Sequence, residues 1–210
     1  MSAQLYPNSQ FLLAAPNMAA CPVDSGIEVA IAGRSNAGKS SAVNAICGRR
    51  ALARVSRTPG RTRELLFFEL LPERRLVDLP GYGFAKVAAA QWRQWPAMIE
   101  NYFRQRQALQ GVLLIMDIRH PLQPLDWHML EYCRGAGHPV HVLLNKADKL
   151  SRSRAQQQLL AVRRELAGQA TTALLSCLKE TGREELRLQI DAWFAGEAIA
   201  PATPSTTNAS

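Results

Sequence analysis

A short β-rich run, Ile27-Glu-Val-Ala-Ile-Ala32, leads straight into Gly33-Arg-Ser-Asn-Ala-Gly38-Lys39-Ser40. The run Ser40-Ser-Ala-Val-Asn-Ala-Ile-Cys47 follows with helical character and stops at Gly48. The middle segment fits G-x-x-x-x-G-K-[ST], a loop whose backbone N–H groups cradle the phosphates of a nucleotide at a helix N-terminus. Gly33 and Gly38 allow the tight path, Lys39 reaches the terminal phosphates, and the Ser40 hydroxyl can coordinate Mg²⁺. A strand, a glycine-rich loop and a helix in this order belong to α/β sheets, which leaves few architectures open.

About a hundred residues on, Asn145-Lys146-Ala147-Asp148 indicates which base is bound. Guanine presents an N1–H and a 2-amino group side by side, and one ionised carboxylate accepts both. Adenine would leave Asp148 unpaired, a mismatch that costs orders of magnitude in affinity. Asn145 is expected to brace base and phosphate loop, and the stem of Lys146 to cover the purine face. The turn Leu175-Ser176-Cys177-Leu178-Lys179 can offer a backbone N–H to the guanine O6, with Cys177 as packing.

Between the two motifs, Asp78-Leu79-Pro80-Gly81 ends a strand with a carboxylate placed to hold Mg²⁺ through a water, and the Gly81 amide lies where a γ-phosphate is sensed. Upstream, residues 49–63 carry six arginines and no acid. A threonine there is expected to complete the Mg²⁺ shell only when the γ-phosphate is present. Thr62, just before a strand, is favoured over Thr58. The arginines are either a solvated basic loop or contacts to nucleic-acid phosphate.

Strand candidates are Ile27–Ala32, Glu64–Leu71, Arg75–Asp78, Val112–Asp117, Val140–Leu144 and Ala173–Ser176. Helix candidates are Lys39–Cys47, Gln91–Arg106, Leu125–Gly135, Arg152–Leu166 and Arg183–Phe194. Their alternation predicts a mostly parallel six-stranded sheet with helices on both faces. The short turn at Pro72-Glu-Arg predicts a hairpin and one antiparallel edge strand. Thr181-Gly-Arg-Glu184 reads as a capping box for the last helix. Residues 1–22 read as an N-terminal extension packing on a domain of residues 23–195. The stretch 196–210, rich in Ala, Pro, Ser and Thr, reads as a disordered tail.

A formal net charge of +8 suggests an anionic partner larger than a nucleotide, nucleic acid foremost. The four cysteines form no CxxC pair, and His120, His128, His138 and His141 lack metal-ligand spacing. No apolar run approaches the eighteen or so residues of a membrane span, and no Lys or Arg precedes Arg34 to flank a signal peptide. A cytoplasmic protein without membrane contact is expected. Trp92, Trp95, Tyr102 and Phe103 fall in one helix, as core packing or as base-stacking or protein-contact residues.

The chain resembles the EngB (YihA/YsxC) family of bacterial ribosome-biogenesis GTPases, in the Era- and TrmE-like branch of G proteins. The resemblance runs from about Ser9 to Phe194. It covers Gly26-Ile-Glu-Val-Ala, the Gly33–Ser41 loop, Thr58-Pro-Gly-Arg-Thr62, Asp78-Leu-Pro-Gly-Tyr-Gly83 and Asp117-Ile-Arg-His-Pro-Leu122. The last of these is specific to the family. Asn145 stands for a Thr frequent there, Cys177 for a Ser and Phe84 for a Tyr. The resemblance implies a Ras-like P-loop G domain, Mg²⁺-dependent GTP hydrolysis to GDP, and a role in large-subunit assembly tied to normal cell division and septation. It thus implies the pre-50S or 50S subunit as partner, with the protein itself a monomer. A protein-interaction switch without RNA is the alternative.

The candidate nucleotide contacts are Gly33, Arg34, Ser35, Asn36, Ala37, Gly38, Lys39, Ser40 and Ser41, with Gly60, Arg61, Thr62, Arg63 and Glu64 upstream of the hairpin. Asp78, Leu79, Pro80, Gly81, Asn145, Lys146, Ala147, Asp148, Ser176, Cys177 and Leu178 complete the set. Metal ligation falls to Ser40, Thr62 and, through water, Asp78. Catalysis falls to Lys39, Asn36, Thr62 and Gly81. Ras-type proteins place a Gln after the Asp-x-x-Gly motif to orient water, but Tyr82 stands here and cannot act the same way. Asn36 matches the position at which related GTPases hold K⁺; a local hydrogen bond within the loop is the other reading. Turnover without a partner is expected to be slow.

Overall fold

Val29 and Ile31 point to one side of their strand and Ala30 and Ala32 to the other, and all four are buried. A strand buried on both faces belongs inside a sheet covered by helices front and back. The computed structural model, which describes residues 6–49, 51–53, 64–83 and 98–197, has that form. In chain order its strands are β1 (Gln10–Ala15), β2 (Ile27–Gly33), β3 (Leu65–Leu71), β4 (Arg74–Asp78), β5 (Leu109–Asp117), β6 (Val140–Asn145) and β7 (Thr171–Leu174). The helices are α1 (Lys39–Cys47), α2 (helical over 98–105), α3 (Pro124–Gly135), α4 (Arg152–Leu166) and α5 (Arg183–Phe194).

The sheet order is β1-β3-β4-β2-β5-β6-β7. The mostly parallel α/β architecture agrees with the sequence, but the described strands number seven rather than six. The extra one is β1, from the N-terminal extension, which pairs antiparallel with β3. The antiparallel strand β3 therefore lies one place in from the edge, between β1 and β4. Gln10-Phe-Leu-Leu-Ala-Ala15 has no clean alternation, so its strand character comes from pairing with β3 rather than from its own pattern. The β3–β4 turn is Pro72-Glu73, with Glu73 at φ 59°.

One face carries α1 and α5, and the other carries α2, α3 and α4. Leu186, Ile190, Trp193 and Phe194 of α5 are buried against the sheet, each large aliphatic contributing about 1.5–3 kcal/mol. Trp193 comes so close to β5 that a Cβ at residue 111 would enter its ring, which accounts for Gly111. The capping box expected at Thr181 does not form. Gly182, at φ 74°, is the N-cap of α5, while the Thr181 carbonyl accepts the Ser176 amide at 3.0 Å. A side chain at 182 would collide with the Leu174 carbonyl, so the close turn wins over the cap.

At the N-terminal end of β2, the fully buried Glu28 binds Arg106 at 2.7 Å, Arg75 at 3.2 Å and the Tyr102 hydroxyl at 3.1 Å. Removing one partner of such a cluster costs about 3–5 kcal/mol. It also settles Tyr102 and Phe103 as core residues. Trp92 and Trp95, the first part of that predicted helix, Phe84 and the tail from residue 198 lie outside the described residues. The first described residue reaches α5, where the buried Tyr6 hydroxyl donates to Asp191 and its ring packs edge-on against Phe194. No described helix is long and apolar enough to cross a membrane.

Candidate functional site

The C-terminal ends of the central parallel strands converge where β2 hands over to α1. Gly33 adopts φ 152°, and a side chain there would strike the Ile115 carbonyl of the neighbouring strand. Asn36 and Gly38 take left-handed backbone, at φ 64° and 106°. The loop thus wraps around the start of α1, whose first turn carries no acid and offers its free amide groups to an anion. Arg34, Ser35 and Lys39 are half-buried, Asn36 is exposed and Ala37 is buried.

The Asp78-x-x-Gly81 turn is stitched to this loop. The Ser35 amide donates to the Tyr82 carbonyl at 2.7 Å, and the Ser35 hydroxyl lies 3.4 Å from the Gly81 carbonyl. A Cβ at Gly81 would sit 2.8 Å from Lys39 Nζ and 3.0 Å from Ser35 Oγ, so only glycine leaves that corner open. Leu79 is buried, its amide donating to the Ile31 carbonyl at 2.9 Å.

Asp78 ends β4 almost wholly buried. Its Oδ2 accepts the Ser40 hydroxyl at 3.3 Å, while Oδ1 has no hydrogen-bond partner among the described residues. Burial pushes its carboxyl up to about 6, against the pull of Lys39 and Ser40. Burial likewise lowers the Lys39 ammonium, with Asp78 pulling it back. An orphaned, desolvated carboxylate oxygen beside a serine hydroxyl is a donor set that suits a hard, oxygen-seeking cation or its water, and it fits Mg²⁺.

At the other end, Asn145 donates from Nδ2 to the Ala37 carbonyl at 2.8 Å, tying β6 to the phosphate loop. A Cβ at Gly38 would collide with this amide, so the bond and the glycine require each other. Lys146, at φ 62°, donates to the Asn36 carbonyl at 2.7 Å. The Ser176 hydroxyl donates to Asp148 Oδ1 at 2.6 Å and accepts the Lys179 amide at 3.1 Å. The Ala147 amide binds the Leu175 carbonyl at 3.1 Å. One carboxylate is thereby aimed while its Oδ2 stays available to a ligand, apart from Lys149 at 3.8 Å. Cys177 is half-buried, its thiol pushed up to about 11 by burial and within 3.6 Å of Asn145 Oδ1. Leu178 is exposed.

The predicted residues of the two motifs, the Asp78 turn and the Ser176 turn are therefore brought together. Gly60, Arg61, Thr62 and Arg63, with Thr58 and most of the arginine run, lie outside the described residues. Two local features were not legible in the motifs. Asn44 of α1 holds the backbone of Ala53 from both sides, at 2.9 and 2.8 Å. Tyr82 is buried and donates to Asp126 Oδ1 at 2.8 Å, while Asp126 Oδ2 accepts the Gln123 amide at the start of α3. A Gln-Pro pair followed by Asp in a first turn was the available signal for that cap. Of the histidines, His138 binds the Phe103 carbonyl at 2.7 Å, and buried His141 is 2.7 Å from Thr171 Oγ1. No cluster of three metal-ligating side chains occurs among the described residues.

Known proteins agree with this geometry. The family described as 50S ribosome-binding GTPase matches residues 28–146. A probable GTP-binding protein EngB of Stenotrophomonas maltophilia strain K279a is 50% identical over 197 residues, covering 92% of this chain and 98% of that one. The one from Pasteurella multocida strain Pm70 is 47% identical over 193 residues, covering 90% and 94%. Among solved structures, a probable GTP-binding protein engB superposes with a TM-score of 0.66 at 19% identity, over 81% of this chain and all of that one. Era in complex with MgGDPNP and a 16S ribosomal RNA fragment reaches 0.63 at 22% identity, over 79% of this chain and 56% of that one. These two share its Ras-like fold. The identity to the curated relatives extends over nearly the full length of both chains, so this chain belongs to the EngB family of GTP-binding proteins and is a GTPase.

Proposed function

We propose that the protein is a nucleotide-dependent switch in assembly of the large ribosomal subunit, binding the pre-50S or 50S particle with GTP and leaving after hydrolysis. We extend this to a requirement in normal cell division and septation, with the protein acting as a cytoplasmic monomer. The observation that carries the reading is the match of residues 28–146 to 50S ribosome-binding GTPases. The net charge of +8 supports a partner rich in phosphate, as does the fold shared with Era, whose solved complex holds ribosomal RNA.

In this reading Asp148, aimed by Ser176, accepts the N1–H and 2-amino group of guanine. The loop from Gly33 to Ser41 and Lys39 hold the phosphates, and the Gly81 amide senses the γ-phosphate. Ser40 and, through water, Asp78 would hold Mg²⁺, with Thr62 joining in the GTP state. The ion, when bound, draws charge from the transferring phosphoryl group. Tyr82, buried and bonded to Asp126, does not orient water, so Lys39 and the loop amides supply electrostatic stabilisation instead. Asn36, whose side chain lies at the exposed apex, is the candidate for holding K⁺. Slow turnover without a partner follows. The domain unit is residues 23–195, with 1–22 as its extension.

The test is sedimentation of the purified protein with 50S particles in GDP and in a non-hydrolysable GTP analogue across a salt series. Co-sedimentation with the analogue alone, weakened by salt, is expected. Absence of binding in every state would replace this reading with a protein-only switch.

A further inference from the structure

Asp117 ends β5 directly beside Asn145 in the parallel register, and the next amide, Ile118, donates to the Asn145 carbonyl at 2.9 Å. The carboxylate is held from two sides. Arg119 grips it in a fork, Nε to Oδ1 at 2.9 Å and Nη2 to Oδ2 at 2.6 Å, with its own amide on Oδ1 at 3.1 Å. Lys146 Nζ then donates to Oδ2 at 2.9 Å and, with a second hydrogen, to the Asn36 carbonyl of the phosphate loop. A planar fork fixes the direction of a carboxylate as a single ammonium does not. Burial opposes ionisation of Asp117, but the Arg119 and Lys146 hydrogen bonds outweigh it and hold the carboxyl well below its usual range.

Lys146 has reason to need such a partner. Its backbone is left-handed, a conformation of higher energy for a non-glycine residue, and a long side chain loses rotamer freedom when fixed. Anchoring Nζ at both Asp117 and Asn36 stretches the stem from the residue two before Asp148 to the apex of the phosphate loop.

We propose that Asp117, fixed by Arg119, is a positioning residue for nucleotide retention, holding the Lys146 stem against the purine face. The proposal rests on the base-site reading given above. It makes the Asp117-Ile-Arg119 turn part of the base end of the site, although neither charged side chain need touch the nucleotide.

The experiment is stopped-flow release of fluorescent GDP and of fluorescent inosine diphosphate from the full chain. Asp117→Asn and Lys146→Met, which keeps the stem but loses the anchor, should each speed release about ten-fold. The double variant should be no faster than the faster single one, because both remove the same contact. Release of the two nucleotides should accelerate by the same factor, since inosine differs only at the 2-amino group read by Asp148. Arg119→Gln, which leaves the Asp117–Lys146 pair, should give a smaller acceleration and serves where Asp117→Asn does not fold. Additive single effects, a loss confined to the guanine nucleotide, or an Asp117→Asn rate within roughly two-fold of wild type beside a fast Lys146→Met would overturn the proposal. If Lys146→Met releases GDP at the wild-type rate, the anchor is dispensable and the proposal falls alone, whereas wild-type protein that releases the two nucleotides equally fast would overturn the base-site reading.

Discussion

Asp78 offers the sharpest quantitative test, because the structure asks one carboxylate to be both buried and ionised. Its carboxyl ionises at about 6 in the fold, against 3.8 when unburied. Ionising it at neutral pH therefore costs the nucleotide-free fold about 3 kcal/mol relative to the unfolded chain. That figure already includes the attraction of Lys39 and the Ser40 hydrogen bond. The folded state binds the proton more tightly than the unfolded state. Wild-type stability from this group thus falls as pH rises from about 3.8 to about 6, and the penalty is complete above that window. Asp78→Asn removes the charge while keeping the shape. In metal-free, nucleotide-free protein at pH 7.5 it should be more stable by up to about 3 kcal/mol, a rise in Tm of roughly 6–12 °C. The gap should shrink steadily as pH falls from about 6 to about 4, and it closes only below about 3.8, where the carboxyl becomes protonated in the unfolded chain as well. The same variant should lose GTP hydrolysis by roughly 10–100-fold, as expected for a group that supports a metal through water. Urea unfolding of both proteins between pH 4 and 7.5 is the assay. A variant no more stable than wild type at pH 7.5, or a gap independent of pH, would refute the reasoning.

Further outcomes follow from the same geometry. Asp148→Asn should shift preference from guanosine to xanthosine nucleotides, because the amide can donate to a 2-carbonyl; retained GTP selectivity in competition binding would contradict the assignment. Tyr82→Phe leaves a buried carboxylate oxygen of Asp126 without its donor, and should lower stability by about 1.5–3 kcal/mol in urea unfolding. A loss below about 0.5 kcal/mol would mean that the hydroxyl contributes little. Replacing K⁺ by Na⁺ should slow single-turnover hydrolysis if Asn36 holds a monovalent ion, and equal rates with and without ribosomal subunits would dismiss that role.

Legibility in the sequence followed the range of the interactions. That the Gly33–Ser40 loop, the Asp78 turn and the Asn145–Asp148 segment form one candidate site was readable because each is a pattern of particular residue types at fixed local spacing. The elements β2, α1 and α5 were readable for the same reason, since a β-rich run and a helical period are local properties. Strand β1 was not, because its partner β3 lies far along the chain, Gln10 meeting Glu69 59 residues on, and its own six residues do not alternate. Nor were the Asn44–Ala53 and Tyr82–Asp126 bonds, whose geometry exists only once α1 and α3 are docked. Thr181 misled because a local capping pattern competes with the Ser176 pairing, and the close turn at Gly182 decided the outcome.

The contact of Tyr6 with α5 sets an order for folding during synthesis. Gln10 must wait for Glu69, 59 residues later, and Tyr6 for Asp191, 185 residues later. Contacts of such long range close slowly and late. A nascent chain halted anywhere before α5 keeps an aromatic side chain without its berth. Final closure therefore waits until α5 itself has left the ribosome.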